Sequence, residues 1–128
     1  MDPDHIRQVY ERYPELFSKA DVDAIVDLYA DDATIEDPIG SDLHVGKEAV
    51  RSFYEKTTGA TTMKRTGPVR VAGREAACPV MVLMGPEGPD QKALDIVSTM
   101  VFDDAGKISQ MRAYWSFSGM RSANEPPA

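Results

Sequence analysis

Ala93-Leu94-Asp95-Ile96-Val97-Ser98-Thr99-Met100-Val101-Phe102, then Asp103-Asp104-Ala105-Gly106, then Ile108-Ser109-Gln110-Met111-Arg112-Ala113-Tyr114-Trp115-Ser116-Phe117 reads as two β-strands joined by a tight turn. β-Branched and aromatic residues dominate both runs, and the Asp-Asp-Ala-Gly stretch between them supplies turn chemistry. In the first run Leu94, Ile96, Ser98 and Met100 share one face, with Asp95, Val97 and Thr99 on the other. Ser98 is the sole hydroxyl in that apolar row. In the second run Met111, Ala113, Trp115 and Phe117 share a face.

Reading outward, Ala77 to Met84 is a third run, with Val80, Val82 and Met84 on one face, and Arg65 to Val71 is a fourth. Gly85 to Asp90 makes a looser turn. The N-terminal half has helical spacing instead. Asp2 before Pro3 reads as an N-cap, followed by Ile6, Val9, Tyr10, Tyr13, Leu16 and Phe17 at steps of three and four. Pro14 inside this pattern removes a backbone hydrogen bond, so a kink is expected at Tyr13. Asp21 caps a short second helix carrying Val22, Ile25, Val26 and Tyr29, and Gly46 to Lys56 is a third with Val50, Phe53 and Tyr54 on one side. Thr34 to Asp37 is a short extended segment, and Pro38 holds Asp37 out of the α region by steric clash.

Helices followed by a meander imply an α+β domain in which three N-terminal helices pack into the concavity of a curved antiparallel sheet. At 128 residues the chain fits a single domain, residues 1–128, with Asn124 to Ala128 read as a frayed tail. The inward rows of Val80, Val82, Met84, Leu94, Ile96, Met100, Met111 and Ala113 are expected, with Phe53, to line one apolar concavity. A concave apolar site with few polar groups suits a small molecule.

Composition narrows the function classes. Fourteen Lys and Arg against 21 Asp and Glu leave a net charge of -7, which repels nucleic acid and anionic membranes. The single cysteine, Cys78, has no partner within the chain, and the first 20 residues carry charges throughout, so a cytoplasmic, disulfide-free protein is expected. There is no Gly-rich phosphate loop, no His pair at metal spacing and no Cys-His pairing for nucleophilic catalysis. Asp31, Asp32, Glu36 and Asp37 lack the spacing and glycine of a calcium loop and read as a solvated turn, so no metal is expected. His5 and His44 are isolated and read as surface or capping residues. Taken singly, Tyr13 is a core aromatic, Asp37 a turn residue and Ser98 a strand serine bonded to a neighbour.

Their combination is more specific. Arg12-Tyr13, Ala24-Ile25-Val26, Tyr29-Ala30-Asp31-Asp32-Ala33-Thr34-Ile35-Glu36-Asp37-Pro38-Ile39-Gly40 and Ser52-Phe53-Tyr54 closely resemble the bacterial ketosteroid isomerases in order and spacing. Thr66-Gly67-Pro68-Val69-Arg70, Ala93-Leu94-Asp95 and Met111-Arg112-Ala113-Tyr114-Trp115-Ser116 are similar to the same family. The Asp-Ala-Thr-x-Glu-Asp-Pro stretch by itself marks the wider fold group similar to nuclear transport factor 2. That group also holds cyclases, dehydratases, epoxide hydrolases and noncatalytic modules.

The resemblance implies a cone-shaped fold, a homodimer, and cofactor-independent movement of a C=C bond from Δ5 to Δ4 of a 3-oxosteroid. It implies Asp37 as the proton-shuttling base and Tyr13 as an oxyanion donor. Tyr54 matches a tyrosine bonded to the catalytic one, Tyr29 stands with it in support, and Trp115 matches a tryptophan near the base. The family's second oxyanion donor, a protonated aspartate, is replaced here by Ser98. A hydroxyl stays protonated at any ordinary pH but is a weaker donor than a carboxylic acid. The competing expectations are a noncatalytic lipid-binding or dimerisation module, or another chemistry on the same fold.

Overall fold

The computed structural model describes residues 1–127. Helix α1 (Pro3–Ser18) starts at Asp2, whose carboxylate accepts from the Asp4 N–H at 2.9 Å. It runs unbroken through the buried Pro14 and turns Ile6, Val9, Tyr10, Tyr13 and Phe17 inward. Helix α2 (Val22–Asp27) is capped by Asp21, which accepts from the Ala24 N–H at 3.2 Å. Tyr29 is not on this helix as expected. It opens strand β1 (Tyr29–Glu36), because the Leu28 C-cap ends α2 and the Leu28 carbonyl accepts from the Ile108 N–H at 2.9 Å. The extended segment expected from Thr34 thus begins five residues earlier.

Strand β2 (His44–Val45) and helix α3 (Lys47–Thr57) follow, then β3 (Thr61–Arg65), β4 (Arg70–Ala72), β5 (Glu75–Met84), β6 (Lys92–Phe102), β7 (Ile108–Tyr114) and β8 (Arg121–Ser122). The run expected from Arg65 to Val71 is two strands. Gly67 and Pro68 interrupt it where the chain crosses Pro79, and the Thr66 N–H reaches the Pro79 carbonyl at 3.0 Å. The last long strand ends at Tyr114 rather than Phe117. Phe117 opens a 3-10 turn and is exposed, so it does not share the inner face with Met111 and Ala113.

The sheet order is β2-β1-β7-β6-β5-β3, with β4 added to β5 and β8 to β6. All pairings are antiparallel except β1 with β7, so the sheet is mixed rather than wholly antiparallel. Irregular register falls in β1–β7 between Tyr29 and Thr34 and in β6–β7 between Val101 and Phe102. Bulges of this kind increase twist and bend a sheet, which is how it curves around the helices. The β6–β7 hairpin closes at Gly106, whose φ of +80° strains any side chain and whose would-be Cβ would come within 2.9 Å of His5 Nε2. His5 Nε2 lies 2.7 Å from the Gly106 carbonyl, tying α1 to this turn.

The core fills the space between helices and sheet. Ile25, Val26, Val50, Phe53 and Tyr54 from the helices meet Cys78, Val80, Leu94, Ile96, Met100, Phe102, Ile108 and Met111 from the strands. Ser18 fastens α1 to β3, accepting from the Met63 N–H at 2.9 Å and reaching the Pro14 carbonyl at 2.8 Å. Of the expected tail, Asn124 bonds the Gly88 carbonyl and Glu125 the Ser122 carbonyl, while Ala128 lies outside the described residues. Among the described residues no helix is long and apolar enough to cross a membrane.

Candidate active site

A cavity of about 220 Å³ lies between α1, α3 and the sheet, lined by Tyr13, Phe17, Asp37, Phe53, Thr57, Thr61, Met63, Val82, Met84, Leu94, Ile96 and Trp115. Helix periodicity sets two of its walls: Phe17 follows Tyr13 by four residues on α1, and Thr57 follows Phe53 by four on α3. Strand alternation sets the third, with Leu94 opposite Val82 and Val82 opposite Met63.

Tyr13 is buried, and its hydroxyl lies 2.8 Å from that of Tyr54, which lies 2.5 Å from that of Tyr29. The three hydroxyls hold three protons and share two bonds. If Tyr13 donated inward, the chain would end on a Tyr29 proton with no acceptor, since Tyr29 has no other partner among the described residues. A buried donor left unpaired is expensive. The satisfied direction is Tyr29 to Tyr54 to Tyr13, which leaves the Tyr13 proton free to point into the cavity. Burial pushes all three phenols above the ordinary tyrosine value, so they stay protonated as donors.

Asp37 follows β1 directly. Its loop is pinned on one side by the Ile39 N–H donating to the Ala113 carbonyl at 2.9 Å. Glu36 pins the other side, accepting from the Gly40 N–H at 2.7 Å and pairing with Arg112 at 3.3 Å. The Trp115 indole N–H donates to Asp37 Oδ1 at 2.5 Å. Burial raises the Asp37 carboxyl above its ordinary value, and the indole bond and the nearby His44 oppose that rise. The result is a half-buried carboxylate held on the wall of an apolar cavity.

Of the residues expected at the site, Asp37, Tyr13, Trp115, Phe53, Val82, Met84, Leu94 and Ile96 reach the wall, and Tyr54 and Tyr29 stand behind Tyr13. Val80, Met100, Met111 and Ala113 are buried in the core and are not on the wall. Ser98 is also buried and off the wall, with its Oγ 3.4 Å from the Tyr10 hydroxyl. Phe17, Thr57, Thr61 and Met63 were not anticipated. The i+4 spacing from Tyr13 and from Phe53 was the available signal for the first two; the β3 residues had none, because the run was read as starting at Arg65. The acidic group disperses, with Asp31 and Asp32 exposed on β1 and Glu36 turned to Arg112.

The sequence profile of the SnoaL-like domain matches residues 10–111. The chain belongs to this family. Its fold is the NTF2-like arrangement of helices on a curved sheet. The SnoaL-like domain here is 34% identical to the steroid Delta-isomerase of Nocardioides simplex, over 87% of this chain and 89% of that one. It is 32% identical to the epoxide hydrolase LasB of Streptomyces lasalocidi, over 74% of this chain and 42% of LasB. Among solved structures, it superposes with a TM-score of 0.85 on the epoxide hydrolase/cyclase-like enzyme SalBIII, which acts in pyran ring formation in the polyether salinomycin. The identity there is 26%, over 94% of this chain and 98% of SalBIII. The likeness to the steroid Delta-isomerase supports an isomerase, within a family whose members carry out diverse reactions.

Proposed function

We propose that this protein is a cofactor-independent 3-oxosteroid isomerase that moves a C=C bond from Δ5 to Δ4 through a dienolate. The observation that carries the reading is the pairing, on one cavity wall, of a desolvated carboxylate with a buried tyrosine whose proton is free. Asp37 removes a proton from C4, the electrons of that C–H bond form the dienolate, and Tyr13 donates to the C3 oxygen as charge develops there. Asp37 then returns the proton to C6, the C=C moves to Δ4, and the C3 carbonyl re-forms. Atoms balance without a co-reactant. A donor aimed at developing charge in a dry site is the largest usual catalytic contribution.

Ser98 lies one strand step beyond the wall residue Ile96, so it is assigned as a second donor only to a ligand oxygen that reaches past Ile96, acting when Tyr10 donates to Ser98 Oγ and so frees the serine proton. The leading alternative is opening of an epoxide, the activity that LasB is named for. That chemistry on this fold calls for a pocket His or an Asp-Arg-Asp set, and no His or Arg stands on the wall among the described residues. Asp37 is the single carboxylate on the wall among the described residues, which favours the isomerase. A noncatalytic lipid-binding module is the other. The experiment is to mix purified protein with 5-androstene-3,17-dione and follow the conjugated-enone absorbance. Growth that depends on protein and is lost in Asp37→Asn is expected; no growth at micromolar protein overturns the reading.

The assembly we propose is a homodimer through the outer sheet face. Val97 and Tyr114 are ladder neighbours there, 45% and 46% exposed, with Met81 and Leu83 half-buried alongside. Sedimentation at micromolar concentration is expected to give twice the chain mass, and a single-chain species across that range removes the assignment.

A further inference from the structure

The cavity carries polar side chains at two ends, and the proposed isomerisation uses one. From the Val80–Ile96 pair, the ladder steps to Val82–Leu94, with Met63 beside Val82, and then to Met84, with Thr61 beside it. Those two steps cover four residues of strand, about 13 Å. The helical walls run the same way, from Tyr13 to Phe17 on α1 and from Phe53 to Thr57 on α3. A long, rigid apolar ligand with one end at Tyr13 therefore brings its other end to Thr57 and Thr61.

The chemistry at that end is one-sided. The Thr57 hydroxyl donates to the Phe53 carbonyl at 2.9 Å, and the Thr61 hydroxyl donates to the Thr57 carbonyl at 2.8 Å. Both protons are committed to backbone, so each hydroxyl oxygen has only acceptor capacity left to offer at this end of the cavity. The other wall residues around them, Phe17, Met63 and Met84, supply no donor. A carbonyl brought here meets two acceptors unless a threonine gives up its own bond.

We propose that Thr57 and Thr61 form a distal subsite selecting a ligand with a hydroxyl, rather than a carbonyl, at the end remote from Tyr13. The assignment rests on the steroid reading above, which supplies a rigid tetracycle of suitable shape. One neutral hydrogen bond gained or lost corresponds to about three- to tenfold in affinity. The probes are 17β-estradiol and estrone, which share the phenolic ring that Tyr13 would meet and differ at the C17 oxygen.

Isothermal titration of the wild-type protein is expected to give estradiol binding about three- to tenfold tighter than estrone. In Thr57→Val/Thr61→Val the ratio should fall towards one through loss of estradiol affinity, with estrone nearly unchanged, whereas Thr61→Ser retains the preference. Equal binding of both steroids to wild type overturns the distal subsite and leaves the isomerase reading standing, a result that needs no variant. A preference that survives the double substitution overturns it too. If neither steroid binds, the isomerase reading fails and the subsite falls with it.

Discussion

The Tyr10 hydroxyl stands 3.3 Å from the carbonyl oxygen of Ser98 and 3.4 Å from its Oγ. Tyr10 precedes Tyr13 by nearly one turn of α1, so both phenols approach the sheet from the same helix face. Tyr10 has one proton for two acceptors. When it donates to the carbonyl, the serine hydroxyl closes onto the phenol oxygen and has nothing left for a ligand. When it donates to Oγ, the serine proton is free. On the proposed mechanism Ser98 is therefore a donor only in part of the population, and Tyr13 is expected to carry most of the oxyanion stabilisation.

Ser98→Ala is accordingly expected to lower kcat by less than about tenfold, whereas Tyr13→Phe lowers it by about 10² to 10³, the range for a lost oxyanion donor. The informative variant is Ser98→Asp. Burial would keep an introduced acid neutral and donating, but the Tyr10 hydroxyl would bond its ionised form and pull its pKa down. Tyr10→Phe/Ser98→Asp should thus exceed both wild type and Ser98→Asp in kcat at neutral pH, with the advantage lost as pH passes the acid's raised pKa. Profiles of kcat against pH for the three proteins test this. Coincident profiles for the single and double variants would mean that Tyr10 does not govern position 98.

Asp37→Asn should reduce kcat by about 10² to 10⁴, the usual share of a general base. Its effect on stability has the opposite sign. Because burial raises the folded-state pKa, the native protein binds more protons than the unfolded chain between the ordinary aspartate value and the raised one. Stability is therefore lost as pH rises through that window, and the ionised group is a net burden above it. At pH 7 the asparagine variant should melt higher than wild type, and at a pH below both values the gap should close. Thermal melts at the two pH values decide it; a lower melting temperature at pH 7 would mean that the carboxylate is better satisfied than its surroundings indicate.

On the proposed mechanism Trp115 is expected to set the acid limb of the rate profile. Its N–H opposes the upward push of burial on Asp37, so Trp115→Phe should move the inflection of kcat/KM to higher pH. The wild-type inflection itself should lie above the ordinary aspartate value. No loss on the alkaline side is expected up to pH 10, because burial holds Tyr13 protonated beyond the ordinary phenol range. An unmoved inflection in Trp115→Phe would break the link between the indole and the base.

The helix faces and the β5–β7 meander were legible because period and turn residues agreed, whereas the Asp37, Tyr13, Tyr54 and Trp115 set was legible only through the resemblance to the ketosteroid isomerases. What escaped was decided by contacts distant in sequence. Tyr29 fits the α2 stripe, and only the pairing of β1 with β7, which brings it opposite Ile108, makes it a strand residue. Val80, Met100, Met111 and Ala113 have the right parity for the concave face. The helices cover that end of the sheet, so they pack as core instead of lining the cavity. Ser98 shares that fate, since nothing local to β6 reveals that Tyr10 covers it from 88 residues away.

The direction of the tyrosine chain can be read from substitutions at its middle and its end. Tyr54→Phe removes the donor to Tyr13 and leaves the Tyr29 hydroxyl buried without a partner. An unpaired buried hydroxyl costs about 1 to 3 kcal/mol, or roughly 4 to 12 °C of melting temperature for a domain of this size. Turnover should fall by about tenfold, less than in Tyr13→Phe because the Tyr13 proton remains. Tyr29→Phe removes only the end of the chain. Tyr54 still donates to Tyr13, so kcat should stay within about threefold of wild type. The double variant Tyr29→Phe/Tyr54→Phe carries no stranded hydroxyl and should melt higher than Tyr54→Phe while remaining as slow. If Tyr29→Phe instead slows turnover as much as Tyr54→Phe, or the double variant recovers no stability, the protons run the other way and Tyr13 does not present a free donor to the cavity.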